Sequence, residues 1–310
     1  MSIKKLRPID VQNPPSVFLV GNGFSQALGG AGTGEIIKNL WKNKELSYEA
    51  AKDTIPFTRQ IIIGTEDHVE GVCENLCSNF MDHKFYDGKD YGLIKKLLSC
   101  NPDAILTTNY SYEIEVGAGL VPGTNRFGKA AVSTDMVKKR ETKYYLHSFY
   151  SIDDKSVWHI HGEAKNKHSI VLGQYYYGRL LSRYINYLDG TKSHRRPQFS
   201  NNFKGTYEPK SWIDYFIYGN VYIVGFGLDV AEYDLWWLLN RKKNQINQKG
   251  KVVLFLNKYD VLHPEKEQML RLFNVQIERD SSLVDSQGEN YYKKYYNLVL
   301  DNIKDEMKSC

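Results

Sequence analysis

Five short, mostly apolar runs, each followed by a polar or glycine-rich turn, constrain the fold of this chain more than any other feature of its sequence. Continuous runs of this kind suit strands that are buried on both faces of a parallel sheet. A strand, a turn and then a segment compatible with a helix form the repeating unit of doubly wound α/β domains. The sequence therefore predicts an α/β fold with a Rossmann-like parallel sheet. The predicted strands are residues 17–20, 103–107, 157–160, 221–224 and 252–256.

The segments between these strands are too long to be simple connections. We expect them to be insertions that form a helical subdomain and loops covering a cofactor. The helical insertions are expected at about residues 35–100, 117–156 and 164–215. Beyond the last core strand, Val275–Ile277 predicts another strand and Tyr291–Met307 predicts an amphipathic helix. Because these elements complete the core, we expect residues 1–310 to form a single domain with no room for an independent sensor domain.

Composition limits the class of protein. No apolar run is long enough to span a bilayer, and the N-terminus lacks the apolar stretch of a signal peptide, so we expect a cytoplasmic protein without membrane association. The cysteines do not form paired CxxC units, which disfavours a zinc ribbon, and a cytoplasmic location disfavours disulfides. The four are Cys73, Cys77, Cys100 and Cys310. The net charge of +5 is mild and the basic stretch Arg179–Lys210 suits a solvated face, so direct nucleic-acid binding is not expected.

A glycine turn follows the first predicted strand. The segment Gly21–Ser25 would let the backbone approach a diphosphate closely, and a helix beginning there would offer free N–H donors to the anion. The segment departs from the usual dinucleotide fingerprint, because no acidic residue stands at a clear second strand end about 20 residues further on. A dehydrogenase that transfers hydride is therefore disfavoured.

Two further strand ends carry polar residues that could do chemistry. Asn109 follows the strand 103–107 and can orient a water or a ribose hydroxyl, although it could equally cap a helix. His161 follows the strand 157–160 and can accept a proton near neutral pH, although it could equally be a histidine satisfied in the core. His159 is expected on the same strand face, but no carboxylate or cysteine spacing supports a metal site there.

The ordered motifs GNGFS, TTNYS, HIHGE, IVGFGL and LFLN resemble those of the sirtuin-like family of NAD-consuming proteins, and more narrowly those of bacterial sirtuin-like antiphage defence effectors. The resemblance implies that Asn109 contacts the nicotinamide ribose and positions the attacking water, and that His161 is the catalytic base. It places the first glycine motif under the NAD diphosphate and the last two motifs on the adenosine side. The residues expected to bind NAD are Gly21, Asn22, Gly23, Ser25, Thr108, Ser111, Gly225, Gly227 and Asn257.

The chain departs from the family pattern at several positions, and these departures indicate which of the family's activities to expect. Ser111 stands where the family often has aspartate, which affects one contact on the nicotinamide side. No cysteine lies between His161 and Gly225, where the zinc module of deacylating sirtuins would fall, and Phe226 and Gly227 replace hydroxyl residues of the sirtuin motif. The resemblance thus implies hydrolysis of NAD, as substrate and without a metal, to nicotinamide and ADP-ribose. The alternatives are an NAD-dependent protein deacylase and a catalytically silent module that senses NAD or ADP-ribose in a larger complex.

The implied activity also requires control, because an ungated NAD hydrolase would kill its own cell. We expect the gate to lie in self-assembly as a homo-oligomer or in a separate protein, and the resemblance suggests a HerA-like ATPase or a short Argonaute. Such a protein would deplete NAD during phage infection. The tyrosine-rich segment Tyr175–Tyr187 is the expected contact surface.

Overall fold

The computed structural model describes residues 2–30, 37–39, 41–52, 60, 64, 69–122, 124, 127–132, 145–189, 205–245, 249–257, 260–280 and 290–309. Its strands are β1 Ser2–Ile3, β2 Ile9–Asp10, β3 Ser16–Val20, β4 Ala104–Thr107, β5 Ala130–Ala131, β6 Ser148–Ile152, β7 Lys155–His159, β8 Thr206–Tyr207, β9 Asn220–Val224, β10 Val252–Asn257 and β11 Val275–Asp280. Its α-helices are α1 Asn22–Gln26, α2 Tyr48–Ala51, α3 Val69–Met81, α4 Gly92–Ser99, α5 Glu113–Gly117, α6 Gln174–Asp189, α7 Trp212–Tyr218, α8 Tyr233–Lys243, α9 Pro264–Leu272 and α10 Asn290–Ser309. No helix in these ranges has the length and apolar character needed to cross a membrane.

A nine-stranded, mostly parallel sheet forms the centre of the molecule, in the order β1-β5-β6-β7-β4-β3-β9-β10-β11. The run from β7 to β11 is parallel throughout. When these six strands are numbered by their place in the chain, their order in the sheet is 3-2-1-4-5-6, the doubly wound Rossmann order. The predicted α/β fold with a Rossmann-like parallel sheet is therefore confirmed, and β11 and α10 match the strand and helix predicted after the last core strand.

Alternate residues of the central strands feed two apolar layers on opposite faces of the sheet. In β3, Val17 and Leu19 belong to one layer, whereas Phe18 and Val20 belong to the other. The first layer packs against α6, α7, α8 and α9, and the second packs against α3, α4 and α10. Because both faces are covered, the strands are apolar at nearly every position, which is why their sequence shows continuous runs.

The predicted helical insertions are corrected in part. Between residues 117 and 156 the described chain contains β5 and β6, which extend the sheet with antiparallel pairing. In the described part of this insertion, strands stand where helix was expected, because β6 pairs along the edge of β7 and β5 pairs with β6. The insertion at 35–100 does contain helices, and so does the one at 164–215. Most of the basic stretch after Asp189, including His194–Arg196, lies outside the described residues.

Candidate active site

A cavity of about 470 Å³ opens at the carboxyl ends of β3, β4, β7 and β9. Ligands of doubly wound sheets bind at these ends, where the strand order reverses, and here the reversal lies between β3 and β9. Helix α3 and the start of α6 form the opposite wall through apolar and aromatic side chains. The predicted site residues that line the cavity are Asn22, Gly23, Thr108, Asn109, Ser111, His161, Gly225 and Gly227.

The two glycine turns at this edge pack against each other. A Cβ atom on Gly21 would lie 2.5 Å from the Phe226 ring, and one on Gly225 would lie 2.3 Å from the Phe24 nitrogen. Gly225 also has a φ of +64°, in the left-handed region that favours glycine. The amide of Gly23 donates to the Gly225 carbonyl at 2.8 Å, so this amide is not one of the free donors expected for a diphosphate. Glycine is therefore required at Gly21 and Gly225 because the two turns approach each other too closely for a side chain.

Asn109 is held at the floor of the cavity by four hydrogen bonds. Its Nδ2 donates to Ser25 Oγ at 2.8 Å and to the Gly21 carbonyl at 3.3 Å. Its backbone amide donates to Thr107 Oγ1, and its carbonyl accepts from His159 Nδ1 at 2.8 Å. The alternative that Asn109 caps a helix is wrong, because α5 begins only after Tyr112. The side chain instead ties the turn after β4 to the turn after β3.

His161 is 1% exposed and contacts the cavity with its ring. Its Nε2 lies 3.0 Å from Asp234 Oδ2 on α8, and its ring packs edge-on against Tyr177. The other ring nitrogen, Nδ1, makes no hydrogen bond within the described part of the chain. A carboxylate on one nitrogen selects the tautomer in which the other can accept a proton. The pair therefore has the arrangement of an oriented general base.

His159 does not share a face with His161, contrary to expectation. Strand β7 ends at His159, and Gly162, with a φ of +95°, turns the chain directly after His161. The His159 ring packs edge-on against Tyr112 and Tyr150 in the opposite apolar layer. Two ring nitrogens in separate layers do not form the start of a metal site. Among the described residues there is also no group of three or more histidine, cysteine or acidic side chains that could hold a metal ion.

A buried ionic network lies behind Asn109. His159 Nε2 lies 2.9 Å from Glu115 Oε1, and Glu163 accepts from Tyr150 at 2.6 Å and lies 3.1 Å from Lys129 Nζ. Burial lowers the pKa of His159, but the Glu115 and Glu163 carboxylates together outweigh burial, and the net shift is upward. Burial raises the pKa of Glu163, but Lys129 and His159 outweigh it, and the net shift is downward. Both shifts favour the charged forms of His159 and Glu163, which lie beneath the cavity.

Three predicted NAD-binding residues lie outside the cavity lining, and a fourth is already engaged. Gly21 and Ser25 lie behind the lining and accept from Asn109, so they support the site rather than face a ligand. Asn257 is fully buried, and its Oδ1 accepts from the Asp260 amide at 3.1 Å, closing the turn after β10. Ser111 does line the cavity, but its hydroxyl donates to Glu113. A contact from Asn257 to an adenosine ribose is not supported by its position.

Sequence reasoning missed the acidic wall of the site. Asp229 and Glu232 line the cavity, and Asp234 holds His161. These residues follow the glycine turn after β9, where a helix begins, and acidic residues at that position were the available signal. The partner of His161 could not be read from the sequence, because Asp234 lies 73 positions away and meets it only through the fold.

Comparison with known proteins identifies no family for this chain. The chain matches no protein-family model, and no curated protein matches it. The resemblance to sirtuin-like proteins therefore rests on the five motifs alone, and any function has to be supported by the geometry of the cavity.

Proposed function

We propose that this chain hydrolyses the nicotinamide–ribose bond of NAD in the cavity at the carboxyl ends of β3, β4, β7 and β9. The observation that carries the proposal is the buried His161–Asp234 pair, whose Nδ1 is left for a reacting group beside Asn109. The cavity lies at the topological switch point, where a dinucleotide binds in this class of sheet. Its volume of about 470 Å³ is adequate for part of such a ligand.

The chemistry needs little beyond these residues. Nicotinamide is a cationic leaving group, so the N-glycosidic bond breaks with its electron pair moving to the ring nitrogen, which becomes neutral. A water oxygen then bonds to the anomeric carbon, and the proton of that water passes to His161 Nδ1. Asp234 orients the imidazole and stabilises the imidazolium that forms. The polar groups around Asn109 hold the ribose and the water in position, which supplies the orientation that free water lacks.

A second candidate function is a catalytically silent module that senses NAD or ADP-ribose. One observation favours it: the Asn109 amide nitrogen is engaged with Ser25 Oγ and the Gly21 carbonyl rather than being offered to the cavity. In this alternative Asn109 preserves the shape of the site, and the ligand binds without being cleaved. No observation specifically favours a protein deacylase.

Incubation of purified protein with NAD separates the two functions. Hydrolysis predicts release of nicotinamide and ADP-ribose in equal amounts, measured by chromatography, and Asn109→Ala should lower the rate about 10²-fold or more through loss of orientation. Tight binding of NAD with no nicotinamide released at any protein concentration would favour the sensing module. An Asn109→Ala variant that keeps the wild-type rate would remove Asn109 from the chemistry.

The proposal extends to control of the activity and to its setting, NAD depletion in cytoplasmic antiphage defence. We propose a gate through self-assembly or a separate protein, such as a HerA-like ATPase or a short Argonaute, that contacts α6. On this helix Tyr177 and Tyr184 are buried in the core, whereas Tyr175 is 65% exposed and Ile185 is 38% exposed. The contact surface is therefore narrower than the whole segment Tyr175–Tyr187. Activity per molecule that rises with protein concentration would support self-assembly.

A further inference from the structure

The start of α8 brings an unusual acidic group to the cavity wall. Glu232 precedes the first residue of the helix, yet its side chain does not cap the helix amides. The residue is only 8% exposed and lines the cavity together with Asp229. Its carboxyl group therefore lies at the surface of the cavity rather than in bulk solvent.

The Glu232 carboxyl group is only partly satisfied within the described residues. Its Oε2 is buried and has no hydrogen-bond partner in the ranges that the structure describes, and the same holds for Asp234 Oδ1. A buried carboxyl oxygen without a partner is costly, and a folded protein keeps one only where something else meets it. Burial, and then the negative charges of Asp234 and Asp229, raise the pKa of Glu232 well above its ordinary value. The site thus presents an acid that a positive charge would ionise.

The surrounding side chains determine which cation fits. Two lysines lie near this wall, and both are engaged: Lys266 Nζ donates to the Gly227 carbonyl at 2.6 Å, and Lys52, which also lines the cavity, pairs with Glu49 at 2.7 Å. The rings of Tyr110, Tyr177 and Phe226 line the same cavity as Glu232. Aromatic faces attract organic cations, and a carboxylate adds the opposite charge. Among the described residues no group of three or more acidic, histidine or cysteine side chains could hold a metal ion, whereas a flat organic cation matches both the rings and the acid.

We propose that Glu232 binds the positive charge of a pyridinium ring, which in the proposed function is the oxidised nicotinamide of NAD. The identification of that ring with NAD rests on the proposed function, whereas the preference for a flat cation rests on the cavity wall alone. The carboxylate faces a charged ring in the bound state and a neutral ring once the glycosidic bond is broken. The site therefore binds the reduced, uncharged nicotinamide of NADH and the neutral nicotinamide product less tightly than the charged ring.

The test uses two rings that differ in charge and that the proposed reaction does not cleave, nicotinamide and its N-methylated pyridinium form. Calorimetry should show that the wild-type protein binds the pyridinium about tenfold more tightly than the neutral ring. Glu232→Gln keeps the size of the side chain and removes its charge, so the preference should disappear. The matched control is Glu265→Gln at an exposed position of α9, which should keep the preference.

Equal binding of the two rings by the wild-type protein would overturn the proposal, and this measurement does not depend on the folding of any variant. A Glu232→Gln protein that melts like the wild type and still prefers the pyridinium would also overturn it. The outcome is separable from the proposed function. Cation preference without NAD hydrolysis would contradict the hydrolase and leave this inference standing, whereas hydrolysis without cation preference would do the reverse.

Discussion

His159 and His161 lie two residues apart at the end of β7, and each has its Nε2 held by a buried carboxylate at about the same distance, 2.9 Å to Glu115 and 3.0 Å to Asp234. They differ at the second ring nitrogen. In His159 it is engaged by the Asn109 carbonyl at 2.8 Å, inside the apolar layer. In His161 it is unengaged within the described residues, and the residue lines the cavity.

The comparison shows that a histidine–carboxylate pair does not by itself mark a catalytic group. Both ring nitrogens of His159 are engaged, so we call it the closed pair. It supports the backbone of Asn109, and we assign it a positioning role. In the His161 pair only Nε2 is engaged, so we call it the open pair. Its Nδ1 is available in the cavity where a substrate would bind. Availability of the second nitrogen is therefore what separates a structural pair from a reactive one.

The largest effect on stability should come from His159→Ala. The substitution leaves the Glu115 carboxylate buried without its partner and removes the donor to the Asn109 carbonyl. Breaking a buried ion pair in this way typically costs about 3–5 kcal/mol of the free energy of unfolding. Urea unfolding of the variant measures this cost.

The matched control for this variant is His168→Ala, because His168 is exposed. Surface substitutions usually change the free energy of unfolding by less than about 0.5 kcal/mol. If His159→Ala were as stable as this control, the distinction between the closed pair and the open pair would lose its physical basis.

A smaller effect concerns Lys242, a buried group whose ammonium donates to the carbonyls of Ile217 and Gly219. Burial lowers the pKa of Lys242 from 10.5 to about 7. Between these two values the unfolded chain binds a proton that the folded protein does not, so the stability rises with pH there. The expected slope from this group is up to about 1.4 kcal/mol per pH unit.

Urea unfolding at pH 7.5 and pH 8.5 tests this slope, roughly one pH unit apart inside the window between the folded and unfolded pKa. Lys242→Met has no such proton, so the wild-type protein should gain stability relative to the variant as the pH rises. A constant difference between the two proteins at both pH values would show that Lys242 keeps its proton when buried.

The sequence was informative where a structure depends on local pattern. The strands β3, β4, β7, β9 and β10 were predicted because strands buried on both faces must be apolar throughout, and the residues after them were correctly expected at one sheet edge. The antiparallel strands were missed because β5 is only two residues long and because β6, with the sequence SFYSI, lacks the continuous apolar run of the parallel strands. The close packing of Gly21 against Phe226 was missed because it depends on a turn about 200 residues away.

The candidate site follows the same division. Asn109 and His161 could be identified from their positions after strands. Asp234, Glu115 and Glu232 could not, because the histidine partners of the first two and the cavity beside the third exist only in the folded chain. Asn257 shows the opposite failure. Its place at a strand end was predicted correctly, but the turn after β10 consumes its side-chain oxygen.

The most direct test of the account is the rate of nicotinamide release from NAD by His161→Ala, compared with the exposed-histidine variant His168→Ala at equal protein concentration. We expect His161→Ala to lose about 10²–10⁴-fold in rate, the loss typical of removing a general base. Because this substitution also leaves the buried Asp234 carboxylate without its partner and lowers stability, the rates are compared at a temperature at which circular dichroism shows the variant to be folded, and there His168→Ala should keep the full rate. Equal rates for the two variants would contradict the assignment of His161 as the base.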